Sequence, residues 1–393
     1  MSVLTGIRAC CFFTALVALS NHALAQAEEP TFVGKLGAKE LVLQFASAEE
    51  LKTREPAPEN QSPALADYFD RSVGRVIPLV KFKDGWLAEC KAAFRGDDCT
   101  HPTGYWRMPD SLKEGSTKAF TAQWKAALPD TPVQIDFEAS KLTPLGDMSV
   151  WGQLLGTGPT TLSRLPKRNG VVAGTLTDPR SGVKVPQVFS GYPTAIMKQF
   201  NAEQARRLVE RTADRLYNLS MEGGEEDSFE IQYQSPRFLV WGGGQGGYYG
   251  GAHGLFAYGV ETYDMKTGKL LKGKNALLKY YIDDVVIAET RKLRDESLKP
   301  SAATGVREVD ECFDAWAEKI LRSEDDEDAP AVKQKIRIEP SHTEERDDFG
   351  FMPQFDGLAV VSNDFAEPIR QCRGVVLTIP WKKARPYLKW PMF

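Results

Sequence analysis

The chain has 393 residues, 42% of them hydrophobic, with 49 basic against 53 acidic side chains and a formal net charge of −4. That apolar content excludes a disordered chain, and the length allows two domains with substantial cores. The acidic balance argues against a nucleic-acid partner, which would need a basic face.

At the amino terminus Arg8 is the only charge in the first 25 residues. It precedes an apolar run from Ala9 to Leu19, and Ala23-Leu24-Ala25 then supplies small residues at −3 and −1. This order is the one a signal peptidase reads, with cleavage after Ala25. The run is shorter than the roughly 20 residues that span a bilayer. Cys10 and Cys11 lie inside it, so the pattern fits a leader rather than an anchor or a lipoprotein signal. No later segment is long and apolar enough to cross a membrane. The expectation is a periplasmic or secreted protein; removing Arg8 leaves 48 basic against 53 acidic residues.

Residues 31–45 contain a strand, with Leu41, Leu43 and Phe45 alternating with Val42 and Gln44. Residues 54–63 are proline-rich and polar and read as a loop. Short apolar runs follow: RVIPLVKF, GWLAECKA, TGYWRM, AFTAQWKA and TPVQIDFEA. Their spacing, broken by glycine, proline and acidic turns, predicts an antiparallel sheet or a small barrel. Residues 109–119 fit a helical turn as well as a strand. The low-complexity stretch GTGPTTLSRLPKRNG, residues 156–170, reads as a linker between a β-rich domain at 26–155 and a second domain at 171–393.

The second domain opens with two strands joined by an Asp178–Gly182 turn. A helix follows, with Asn201 expected as its N-cap and Gln204 as the capping-box partner. Ala205, Leu208, Val209, Thr212, Leu216 and Leu219 share one face, with Arg206, Glu210 and Arg211 opposite. Strands FEIQYQ and PRFLVWG lead into the glycine-rich GGGQGGYYGGAHG at 242–254, and FAYGVETYDM leads out to a Lys266-Thr267-Gly268 turn. Two more helices are predicted, at 276–298 and at 309–322. The latter turns Cys312, Phe313, Trp316, Ile320 and Leu321 towards the core. The acidic loop SEDDEDAP ends it. The chain closes with a strand QKIRIEP, then a hairpin turning at Asp356-Gly357, then a strand GVVLTIPW. The fold class is α+β, with a small antiparallel β domain followed by an antiparallel sheet carrying helices on one face.

Four cysteines remain after the leader: Cys90, Cys99, Cys312 and Cys372. An even number in an oxidising compartment points to two disulfides. Of three pairings, Cys90–Cys99 and Cys312–Cys372 are favoured, the first closing a short polar loop and the second joining a helix to a late loop. A zinc site fails on spacing: there is no C-x-x-C, and the remaining histidines are only His101, His253 and His342.

Residues 170–393 resemble the extracellular C-terminal domain of RsiV-type anti-sigma factors. The resemblance rests on PQVFSGYP with the helix after it, GGAHG at 250–254, ETYDMKTGKLL at 261–271, FDGLAVV, and VVLTIPWKKARPYL at 375–388. Where that family carries a tyrosine- and alanine-rich segment, this chain has NDFAEPIRQCRG at 363–374. The first half is similar to β-rich modules of uncharacterised exported bacterial proteins. In the anti-sigma factors the outer domain binds lysozyme, and cleavage of the membrane-spanning chain frees a sigma factor. The resemblance therefore implies binding of a lysozyme-type muramidase, as an inhibitor or scavenger, without the signalling step. The same scaffold could take a cell-wall glycan.

Candidate contact residues are Tyr248, Tyr249, Gly250, Gly251, His253 and Gly254, where glycines let backbone amides approach a partner. The same stretch also reads as a wide hairpin whose glycines supply positive φ. No phosphate loop is present, because no GK[ST] follows and no helix starts there. His253 fits a packed residue beside the sheet as well as a base or ligand. The acidic clusters at 222–230 and 324–328 either steer a basic partner or are solvated loop charges; neither has EF-hand spacing. No catalytic residue, metal or cofactor is assigned. The expected function is a non-enzymatic envelope binding protein, with a carboxylate-based envelope hydrolase as the alternative from another class.

Overall fold

A computed structural model describes residues 30–46, 64–90, 101–109, 118–221, 225–247, 255–271, 277–279, 282–297, 310–325, 350–363 and 372–389. Eight strands come first: β1 Thr31–Leu36, β2 Lys39–Phe45, β3 Ala64–Asp70, β4 Val76–Lys81, β5 Leu87–Glu89, β6 Tyr105–Arg107, β7 Phe120–Lys125 and β8 Val133–Ala139. Each pairs antiparallel with the next, and β1 also pairs with β8, so the sheet closes into a barrel. Closure removes the exposed edges that an open sheet of short strands would leave. Alternate side chains fill the interior: Phe32, Leu41, Leu43, Leu79, Trp106 and Phe137 are buried in one cluster.

The opposite faces of β2, β3 and β4 are also apolar. Val42, Phe69 and Val76 pack outside the barrel against α1 (Val150–Gly156) and α2 (Thr194–Met221), through Val150, Leu154, Leu155, Ala213 and Leu216. A buried ion pair reinforces this contact. Arg180 binds Asp178 at 2.7 Å and donates to the carbonyl of Arg71, at the end of β3, at 3.0 Å.

The remaining strands are antiparallel too, giving the expected α+β class, but they divide among three sheets. Strands β9 (Thr161–Arg164), β10 (Val172–Thr177) and β11 (Lys184–Ser190) lie in the order β11-β10-β9. In the second sheet β12 (Glu225–Asp227) and β13 (Glu230–Gln234) both pair with β14 (Phe238–Gly247). That strand pairs over ten residues with β15 (Leu255–Asp264), which carries the short β16 (Lys269–Leu270). The third sheet is β17 (Gly350–Pro353), β18 (Gly357–Ser362) and β19 (Gly374–Pro380). Helices α3 (Asp283–Ser297) and α4 (Glu311–Asp325) share a core with β18 and β19 that includes Val286, Trp316, Ile320, Val360 and Ile379. The last described α-helix is α5 (Trp381–Ala384), followed directly by a 3-10 turn at Arg385–Tyr387.

Several local expectations change. The stretch read as a linker carries β9, which runs through a tight turn into β10. Helix α2 begins at Thr194, seven residues before the predicted cap, and the amide of Met197 bonds to the carbonyl of Pro193. The Asn201 side chain instead clamps β11, accepting from the Val188 amide at 3.0 Å and donating to its carbonyl at 2.9 Å. Strand β14 continues through residues 242–247 of the glycine-rich stretch. A side chain at Gly243 would put its Cβ 2.5 Å from the Phe229 Cα, so glycine is required there by close backbone approach.

Cys312 and Cys372 form a disulfide, with Cα atoms 5.0 Å apart, joining α4 to the segment before β19. Cys90 is also disulfide-bonded; its expected partner Cys99 lies outside the described residues. The leader and the QKIRIEP strand lie outside them as well. Among the described residues, no helix is long and apolar enough to cross a membrane.

Candidate functional site

The contact residues read from the sequence, Tyr248, Tyr249, Gly250, Gly251, His253 and Gly254, lie outside the described residues. What the structure gives is their frame. Gly247 is the last residue of β14 and pairs with Leu255, the first of β15, so residues 248–254 connect the two ends of a ten-pair hairpin. Beside that end runs β12, in the register Glu225↔Gly247, Glu226↔Gly246 and Asp227↔Gln245. Three acidic positions therefore stand on the strand next to the glycine-tyrosine-histidine connection.

A separate cavity of about 300 Å³ opens where three distant segments meet. The first is the β9–β10 turn. Asn169 and Gly170 both have positive φ, 49° and 80°, and Arg168 and Val171 exchange backbone hydrogen bonds across them. This is the geometry an Asn-Gly pair favours in a two-residue hairpin turn. The second segment is β13, which pairs with β14 alone and lines the cavity with Glu230, Ile231, Gln232 and Gln234. The third is the β17–β18 turn, which contributes Phe355.

These segments are tied together. The Asn169 amide donates to the Gln234 carbonyl at 2.9 Å, and the Gln234 side chain donates to the carbonyls of Val171 at 3.1 Å and Arg168 at 3.4 Å. The Arg168 guanidinium lies 4.5 Å over the Phe355 ring. That ring also packs on Tyr233, with centroids 5.7 Å apart. Gln232 donates to the Gly242 carbonyl at 3.0 Å and to Glu230 at 3.3 Å.

Two polar networks lie elsewhere. Inside the barrel, Glu89 is buried, and its Oε1 accepts from Tyr68 Oη at 2.7 Å, Trp106 Nε1 at 2.8 Å and Trp124 Nε1 at 2.7 Å. Thr103 Oγ1 donates to Oε2 at 3.0 Å. Burial, followed by the charge of Glu89 beside it, pushes the Tyr68 phenol far above its ordinary range. Between α2 and β15, Arg207 grips Glu261 through two nitrogens at 2.9 and 2.6 Å and also donates to Tyr263 Oη. Tyr263 in turn donates to Glu261 at 2.5 Å. Burial raises the Glu261 carboxyl, but the bonds from Arg207 and Tyr263 outweigh it, and the net shift is downward.

The D-x-x-T-G turn of the 261–271 motif has a local structural explanation. Asp264 accepts from the Lys266 amide at 3.1 Å, while its carbonyl accepts from the amides of Thr267 and Gly268. Among the described residues, no group of three or more histidine, cysteine, aspartate or glutamate side chains is placed to hold a metal ion.

Fold and sites together describe an α+β protein with an N-terminal closed barrel and a disulfide-linked C-terminal half. No protein-family model matches the sequence, and no curated protein matches it. Among solved structures, the chain is similar to a DUF3298 family protein from Pseudomonas aeruginosa PAO1. The identity is 13%, over 60% of this chain and 97% of that one, with a TM-score of 0.29. A superposition at that level carries no functional argument.

Proposed function

We propose that the protein is a non-enzymatic binding protein of the bacterial cell envelope whose partner is a lysozyme-type muramidase. The observation that carries this reading is the placement of β12 beside the end of the β14–β15 hairpin. It sets Glu225, Glu226 and Asp227 next to the connection that holds Tyr248, Tyr249 and His253. Acidic positions beside a connection that carries Tyr248 and Tyr249 suit a basic partner, because opposite charge speeds encounter and aromatic side chains anchor contacts. The motifs at 250–254 and 261–271 support it through their resemblance to a lysozyme-binding domain. The Cys312–Cys372 bond fits an oxidising compartment.

The test is lysis of a cell-wall suspension by a C-type lysozyme with increasing amounts of the protein. Inhibition is expected. Replacing Tyr248, Tyr249 and His253 together by alanine should weaken it by about 2–4 kcal/mol in binding, the size of an interface hot spot. Reversing the charges at Glu225, Glu226 and Asp227 should weaken it further and flatten its salt dependence. Full inhibition by both variants would remove this end of the hairpin from the interface.

A further inference from the structure

Independently of any partner at the hairpin end, we propose that the Arg168–Glu230–Phe355 cavity binds a small α-amino-acid zwitterion, such as a free amino acid or a dipeptide. Arg168 and Glu230 both line it, yet neither has an ion-pair partner among the described residues and they do not pair with each other. One cavity thus presents a cation and an anion at separate places. A ligand that carries both charges within a few atoms of each other answers that arrangement; a purely anionic or cationic ligand would face one repelling group.

The guanidinium is pre-positioned. Its backbone is pinned to β13 by Gln234 and Asn169, and its guanidinium carbon lies 4.5 Å over the Phe355 ring. Stacking on a ring leaves the N–H edges of arginine available, and those edges match the two oxygens of a carboxylate. Glu230, on β13, accepts the ammonium group.

The apolar part of the ligand has its own wall. Phe355 is 37% exposed although it packs on Tyr233, and Ile231 lines the same space. A volume of about 300 Å³ is at the lower end of known ligand sites and matches a molecule of this size. A cation, an anion and an apolar wall in one cavity exclude a neutral sugar as the best fit, since nothing in a sugar would neutralise either charge.

The experiment is a calorimetric titration of the oxidised full-length mature protein with L-leucine, alanyl-alanine, N-acetyl-leucine and leucinamide. Leucine or alanyl-alanine should bind, and blocking either the amine or the carboxylate should weaken binding by about tenfold or more. Arg168→Gln should make leucine and leucinamide equivalent, and Glu230→Gln should make leucine and N-acetyl-leucine equivalent. Both variants should still unfold in a single cooperative thermal transition, so that a lost preference is read on folded protein. The proposal is overturned if the blocked compounds bind as well as leucine. It is equally overturned if the folded protein binds neither leucine nor alanyl-alanine, or if neither variant changes the preference.

Discussion

Glu89 shows how much one side chain organises the barrel. Four neutral donors from β3, β6, β7 and the loop before β6 converge on its carboxyl group. Removing the acceptor strands the Tyr68 hydroxyl and the Trp106 N–H in the buried interior, and each buried donor left unpaired costs about 1–3 kcal/mol. Glu89→Ala should therefore destabilise the protein by about 3–5 kcal/mol in urea unfolding, while Glu89→Gln, which keeps an accepting oxygen, should lose less. Equal losses would mean that the donors find other partners. Glu261 makes a pH-dependent contribution instead. Its carboxyl is held below the ordinary range, so the stability it adds is present above the unfolded-state pKa and is lost as pH falls through the folded one. Urea midpoints of the parent and of Glu261→Gln should differ near neutral pH and converge in strong acid. A gap that persists in acid would show that the side chain acts by packing rather than by charge.

Individual elements explain why some of the fold is legible in sequence and some is not. Helix α4 is legible because Trp316, Ile320 and Leu321 recur at helical spacing, and Asp310 caps it through the amides of Cys312 and Phe313. The start of α2 is not, because Asn201 is equally suited to bond backbone in a neighbouring strand, and there it clamps β11. Residues 242–247 look like a loop because glycine dominates them; at Gly243 a side chain is excluded by the close Phe229 backbone, not by a turn. The hairpin before β10 carried a readable signal, Asn169-Gly170, hidden inside a stretch of linker-like composition. The disulfide was readable from parity and compartment, and it is expected to matter most for the element it ties. Cys312→Ser with Cys372→Ser opens a cross-link between residues 60 apart and should cost roughly 2–4 kcal/mol, with α4 losing amide protection first. Unchanged exchange in α4 would show that its packing through Trp316 suffices.

Across the whole molecule, the barrel and the C-terminal half meet through a shared core rather than a bare tether. Leu216 on α2 reaches the outer face of β2–β4, and Arg180 binds the carbonyl of Arg71. Such long-range convergence escapes sequence periodicity. Barrel closure needs β1 to meet β8 about a hundred residues later, and the cavity gathers Arg168, Glu230 and Phe355 from three separate stretches. The same topology brings β12 beside the β14–β15 hairpin only once the sheet has formed. The most direct check is a calorimetric titration of residues 26–393, folded and oxidised, with a C-type lysozyme. Saturable binding, micromolar or tighter and weakening as salt is raised, is expected. No heat of binding from that sample would contradict it, and the resemblance to the anti-sigma-factor domain would then carry no binding function.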